Sequence, residues 1–131
     1  MVTAPAVIAR KHVNALLPKA VPAFMVRIIP AKILSFFKRY GGIWLAGTVT
    51  LTRQTLSYEP NMLNRALYNN AEAVVVPLAR VASVSERFGS LAGIVDVRLD
   101  DGSVFSFRCF GAQRFAQIIA AAVATEGRAT A

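Results

Sequence analysis

The feature that most constrains this chain is the two-residue alternation between Ile43 and Thr52. Ile43, Leu45, Gly47, Val49 and Leu51 point one way, and Trp44, Ala46, Thr48, Thr50 and Thr52 the other. Successive side chains of a strand face opposite sides of the sheet, and threonine suits a half-solvated strand face. The run therefore predicts a strand with one buried side. Thr55 to Glu59 places Leu56 and Tyr58 on one face. A two-residue turn at Arg53–Gln54 then sets Leu51 opposite Leu56 and Val49 opposite Tyr58, apolar against apolar.

A second hairpin is predicted near the end of the chain. Val95, Val97 and Leu99 alternate, as do Phe105, Phe107 and Cys109. A two-residue turn at Asp101–Gly102 would mismatch the faces. A three-residue loop, Asp100 to Gly102, pairs Val97 with Phe105 and Val95 with Phe107, and it places Gly102 where a left-handed residue is wanted. A five-residue loop keeps the same faces. Between the hairpins lie a long connection, Pro60 to Ala71, and a strand from Val74 to Leu78 whose Pro77 implies an edge position or a bulge. A short strand carrying Val81 and Val84 follows. Gly111 to Thr125 reads as a helix with Phe115, Ile118, Ile119, Ala122 and Val123 on its apolar stripe. Residues 127–131 are expected to form a flexible tail.

Ahead of these strands, residues 4–29 read as helical pieces cut by prolines. Ile8, Ala9, Val13, Leu16 and Leu17 fall at helical spacing, and Pro18 ends the first piece. Val21, Phe24, Met25, Ile28 and Ile29 repeat the spacing until Pro30. The expected organisation is a basic amphipathic helical arm over 1–30, a folded domain over 31–126, and the tail.

Charge follows the same division. The chain carries 15 Lys and Arg against 7 Asp and Glu among 131 residues. Residues 1–40 hold Arg10, Lys11, Lys19, Arg27, Lys32, Lys38 and Arg39 with no acid, whereas the rest carries a net charge of +1. Such asymmetry points to an anionic partner, nucleic acid or an acidic membrane surface. With 55% hydrophobic residues the chain is too apolar to be intrinsically disordered. The uncharged run from Tyr40 to Thr52 is 13 residues, short of the ~18 needed to span a bilayer as a helix.

Catalytic chemistry finds little support. Cys109 is the only cysteine and His12 the only histidine, so neither an intrachain disulfide nor a Cys/His metal cluster can form within one chain. Cys109 alternates inward with Phe105 and Phe107, as an inert core thiol does. Turn chemistry accounts for the adjacent Asp100 and Asp101. No phosphate-cradling glycine loop is present. The expectation is a non-enzymatic module with no cofactor and no metal.

Strands followed by one amphipathic helix is the order of a pleckstrin-homology-like (PH-like) split β-barrel. More specifically, residues 31–125 resemble a GRAM domain. The resemblance rests on Ala46-Gly47-Thr48-Val49-Thr50-Leu51-Thr52 with Leu56-Ser57-Tyr58-Glu59-Pro60, on Pro77-Leu78-x-x-Val81-x-x-Val84, and on Asp101-Gly102-x-x-Phe105-x-Phe107. It implies an α+β, mainly β fold: a barrel of about seven strands capped by the C-terminal helix. It also implies membrane association, with phosphoinositide headgroups among the ligands of such domains. Lys38, Arg39 and Arg53 fall on the first two strand connections, where a PH-type headgroup pocket forms. The PH signature Lys-x(n)-Lys/Arg-x-Arg is absent.

The lipid- or anion-binding candidates are therefore Arg10, Lys11, Lys19, Arg27, Lys38, Arg39 and Arg53. Leu16, Leu17, Phe24, Met25, Ile28 and Ile29 are the candidate apolar contacts. A basic amphipathic segment can lie in a membrane interface with its apolar face buried. The same face could pack on a protein partner or a second subunit, and Met62, Leu63, Leu67 and Tyr68 offer another apolar patch. Nucleic acid is less suited, because the cations are interleaved with large aliphatics rather than with exposed aromatics or a recognition helix. The reading is a cytoplasmic module, peripheral at the inner face of an anionic membrane, with an interaction or homo-oligomerisation module as the alternative.

Overall fold

The computed structural model describes residues 6–17, 21–22, 43–63, 68–69, 72–88 and 92–130. Its strands are β1 (Val7–Leu17), β2 (Val21–Pro22), β3 (Ile43–Thr52), β4 (Thr55–Pro60), β5 (Tyr68–Asn69), β6 (Val74–Pro77), β7 (Val81–Arg87), β8 (Gly93–Leu99) and β9 (Val104–Cys109). A helix, α1 (Ala112–Thr130), ends the chain. Seven strands form one antiparallel sheet in the order β6-β4-β3-β1-β9-β8-β7, and β2 pairs with β5 in a separate two-stranded ladder.

The connectivity forces this sheet to roll up. Its two edge strands, β6 and β7, are consecutive in sequence and joined only by a single 3₁₀ turn, Leu78–Arg80. Laid flat, six interstrand spacings would separate the edges by about 29 Å. The chain from Pro77 to Val81 can reach at most about 14 Å. The sheet is therefore curled, although its edges do not pair. Leu78 N–H donates to the Gln54 carbonyl (2.9 Å), and Asp100 N–H to that of Arg80 (2.8 Å), which ties the corner to both hairpin turns.

Both hairpins have the registers expected from their sequences. Val49 faces Tyr58 and Leu51 faces Leu56, and the Thr52 hydroxyl accepts the N–H groups of Gln54 and Thr55 across the tight turn. Val95 faces Phe107 and Val97 faces Phe105. Gly102 closes the three-residue loop with φ +87°, its N–H bonded to the Leu99 carbonyl at 3.0 Å. Asp101 accepts the Ser103 N–H and hydroxyl, which lowers its pKa.

The core lies inside the curled sheet, and α1 packs against it. Phe115 and Ile119 are almost fully buried. A row of aromatic contacts runs from α1 across the interior, with centroids 5.8 Å apart for Phe115–Phe107, 5.6 Å for Phe107–Phe105 and 6.0 Å for Phe105–Tyr58. Tyr58 then donates its hydroxyl to the Leu45 carbonyl at 2.9 Å. Its ring crosses β3 at Gly47, where an added Cβ would lie 2.5 Å from Tyr58 Cε2 and 2.2 Å from the Glu59 carbonyl oxygen. A side chain at position 47 is thus excluded by β4 itself.

Two expectations need correction. The first predicted helix is instead β1, which sits between β3 and β9 and pairs with β3 from Leu17↔Ile43 to Val7↔Thr52. Val13, Ala15 and Leu17 point into the core, a period of two that helical spacing does not produce. Apart from Val21–Pro22, the second predicted helical piece lies outside the described residues. The C-terminal helix also continues past Thr125 to Thr130, because Gly127 occupies a helical position rather than ending the element.

Candidate anion-binding surface

Arg10, Lys11 and Arg53 are the described candidates for an anion site, and they occupy three different settings. Arg10 lies on the outer side of β1, exposed, with Nε donating to Thr50 Oγ1 across the strand pair at 3.2 Å. Lys11 follows at the half-buried inward position. Its Nζ donates to the Phe110 carbonyl and lies 5.8 Å from the centre of the Phe115 ring. That ammonium therefore bridges β1 to the start of α1. Arg53 stands exposed in the β3–β4 turn, beside an apolar groove of about 690 Å³ lined also by Ile8, Ile118 and Ala121. The described candidates are not gathered into one pocket.

Leu17 is buried at 6% exposure and belongs to the core. Leu16 points outward and is half-buried opposite Trp44. Lys19, Arg27, Lys38, Arg39, Phe24, Met25, Ile28 and Ile29 lie outside the described residues.

The outer face of the sheet carries further charge that the sequence alone did not single out. The Arg108 guanidinium lies 4.3 Å from the centre of the Trp44 ring, a cation–π stack on the side away from the core. Near it a cleft of about 750 Å³ is lined by His12, Asn14, Thr48 and Arg108 among others. Asp96 accepts from Arg87 and from the buried Ser106 hydroxyl. Partial burial works to raise the Asp96 pKa, but hydrogen bonds from Arg87 and Ser106 and the nearby Arg87 and Arg98 charges hold it below the ordinary value. Arg80 is paired to Asp100 at 2.9 Å, both largely exposed, so that contact contributes little.

Cys109 is 4% exposed. Burial pushes its thiol pKa up, and the Lys11 charge opposes this only in part, the reverse of what an activated nucleophile needs. Among the described residues no group of three or more His, Cys, Asp or Glu side chains could hold a metal ion. Nor is any described helix long and apolar enough to cross a membrane.

The arrangement of the long connections was hidden in the sequence. Leu17 and Ile43 are paired neighbours, so 25 residues of sequence, 18–42, separate two directly paired positions. Residues 61–73 connect β4 to β6. The two long connections meet in the β2–β5 ladder, where Val21 pairs with Asn69 and Pro22 with Tyr68. Neither the protein-family models nor the curated protein sequences compared with this chain match it.

Proposed function

We propose that the protein is a non-enzymatic PH-like module of GRAM type that associates peripherally with anionic membranes. The architecture supports the fold half of this reading. A four-strand meander (β1, β3, β4, β6) is followed by a three-strand meander (β7, β8, β9) whose last strand returns to β1, and a helix then packs on the interior. Two successive meanders followed by a helix on the interior are what the PH-like reading calls for, and they support it.

The observation that carries the functional half is the pairing of Leu17 with Ile43. Adjacent antiparallel strands can be joined by two to five residues. Here they are joined by 25 residues, 18–42, which include Lys19, Arg27, Lys32, Lys38 and Arg39 and no Asp or Glu. Phe24, Met25, Ile28, Ile29, Phe36 and Phe37 lie among them. Long connections in compact domains are commonly functional, and cations set among large apolar side chains suit the boundary between headgroups and acyl chains. Each Lys or Arg close to an acidic bilayer contributes about 1 kcal/mol. Five give a binding energy that is useful at low salt and strongly screened as salt rises.

This replaces a free N-terminal arm by a connection held at both ends. Lys11 acts within the fold, and selectivity follows from charge rather than from a stereospecific phosphoinositide pocket. The test is a variant with all five cations of 18–42 changed to glutamine. It should keep the far-ultraviolet spectrum of the parent and lose cosedimentation with phosphatidylserine-containing vesicles. Undiminished binding by that variant would move the site elsewhere. The groove beside Ile8, Ile118 and Ala121 favours a second reading, docking of a protein partner or a second copy, for which a concentration-dependent mass is the signature.

A further inference from the structure

Four polar side chains on the outer sheet face are not used by that reading. His12 and Asn14 on β1, Thr48 on β3 and Arg108 on β9 line the cleft of about 750 Å³. Strand pairing brings them together: His12 faces Thr48, and Asn14 faces Ala46 on one side and Arg108 on the other. Ala46 leaves the floor low between the larger Trp44 and Thr48, and Phe110, 76% exposed, contributes to the wall. His12, Asn14 and Arg108 are exposed, so the cleft opens to solvent.

Its electrostatics select the ligand. All seven Asp and Glu residues of the chain lie among the described residues, and none of them lines the cleft. The ion pairs among the described residues engage Arg80 with Asp100 and Arg87 with Asp96. Asp96 shares the face of Arg108 but is occupied by Arg87 and Ser106. Arg108 is instead held against Trp44, its guanidinium 4.3 Å from the ring centre. A guanidinium stacked in this way keeps its N–H edge for a fork onto carboxylate or phosphate oxygens. The Asn14 amide, the Thr48 hydroxyl and the His12 ring add donors from two further strands. Donors from three strands suit the three terminal oxygens of a phosphate monoester better than the two of a carboxylate. The cleft is also much larger than a phosphate group, which leaves Ala46 and Phe110 for an apolar body.

We propose that this cleft binds an organic phosphate monoester, with the phosphate at Arg108 and the organic body against Phe110. The site uses none of residues 18–42 and so stands apart from the membrane reading. Glu59 lies one strand beyond Thr48 in the same row, and its carboxylate opposes an anion there.

The test titrates phenyl phosphate into the full chain, followed by calorimetry and by the emission of Trp44, the only tryptophan. Binding should saturate at one ligand per chain and perturb Trp44. Arg108→Gln should weaken it by about tenfold or more, and Glu59→Gln should tighten it. Arg98→Gln removes an equal charge outside the cleft lining and should leave the affinity unchanged. Should Arg108→Gln not unfold cooperatively, Thr48→Val, a change of similar shape, decides in its place and should weaken binding by about threefold or more. Displacement of phenyl phosphate by phosphatidic acid vesicles but not by glycerol 3-phosphate assigns the monoester to a lipid headgroup; displacement by glycerol 3-phosphate assigns it to a free ligand. Equal affinity for phenyl sulfate, equal affinity in the folded Arg108 or Thr48 variant, or no saturation at millimolar concentration overturns the proposal. Phosphatidylserine vesicles bound alike by the parent and by Arg108→Gln leave the membrane reading standing whichever way the cleft is decided.

Discussion

Replacing Gly47 by alanine adds one methyl group, and strand propensity taken alone would make that stabilising by about 0.5–1 kcal/mol. The structure predicts the opposite sign. The new Cβ would lie 2.2 Å from the Glu59 carbonyl oxygen, 2.5 Å from Tyr58 Cε2 and 2.9 Å from Pro60 Cα. Ordinary contacts between non-bonded heavy atoms begin near 3.5 Å, so β4 would have to retreat by roughly 1 Å. Two of the three obstacles are backbone, and a rotamer change of Tyr58 cannot relieve them. Overpacking of this kind costs about 1–3 kcal/mol. Displacing Tyr58 from its bond to the Leu45 carbonyl adds about 1 kcal/mol. The expected destabilisation is about 3 kcal/mol, a large share of the 5–15 kcal/mol typical of a domain. Urea unfolding followed by circular dichroism and by the fluorescence of Trp44 measures it. In a Tyr58→Leu background the ring is gone but Glu59 and Pro60 remain, so Gly47→Ala should still cost more than about 1 kcal/mol. A loss below about 1 kcal/mol in the parent background would refute the close crossing of β4 over β3.

Three further outcomes follow from the same fold. Removing residues 1–30 takes out β1, the strand that joins the two halves of the sheet; the truncated chain should lack cooperative thermal unfolding, whereas a detachable arm would leave the melting curve intact. Burial pushes the Tyr58 phenol up to about 12. A folded-state pKa above the unfolded value near 10 means that the stability is complete below pH 10 and declines as pH rises towards 12. Tyr58→Phe should flatten that decline relative to the parent in alkaline urea titrations and cost about 1 kcal/mol at neutral pH. Asp96 shifts the other way: its folded pKa lies below the unfolded value near 3.9, so its contribution is present above about pH 4 and is lost as pH falls through the folded value. Asp96→Asn should therefore be less stable than the parent by about 1 kcal/mol at pH 7 and converge with it in acid; a constant difference would place the effect in packing.

The two hairpins were legible because each joins a clean alternation to a turn that sets apolar faces opposite each other. A turn at Arg53–Gln54 puts Val49, Leu51, Leu56 and Tyr58 on one face, and Gly102 supplies the left-handed residue that the three-residue loop requires. β1 was not legible for equally local reasons. Val13 and Leu17 are four apart and satisfy a helix and a strand alike. Ala9 and Ala15 signal little, the exposed Ile8 and half-buried Leu16 put apolar weight on the outer side, and Lys11 sits at an inward position. Lys11 is accommodated there because the Phe110 carbonyl, 99 residues away, accepts its ammonium. No window on residues 1–30 contains that information. The candidate surface divides in the same way. Its cations are plain in the composition, but their enclosure between two paired strands depends on Leu17 meeting Ile43. The meeting of the two long connections depends on two short strands, β2 and β5, of two residues each, too brief to leave a pattern.

The most direct measurement is cosedimentation of the full chain with vesicles of phosphatidylcholine alone and with added phosphatidylserine, at low and at raised salt. Binding should appear only with the acidic lipid and weaken steeply as salt increases. Equal binding to both vesicle types, or none to either at low salt, would contradict the assignment of this molecule to anionic membranes.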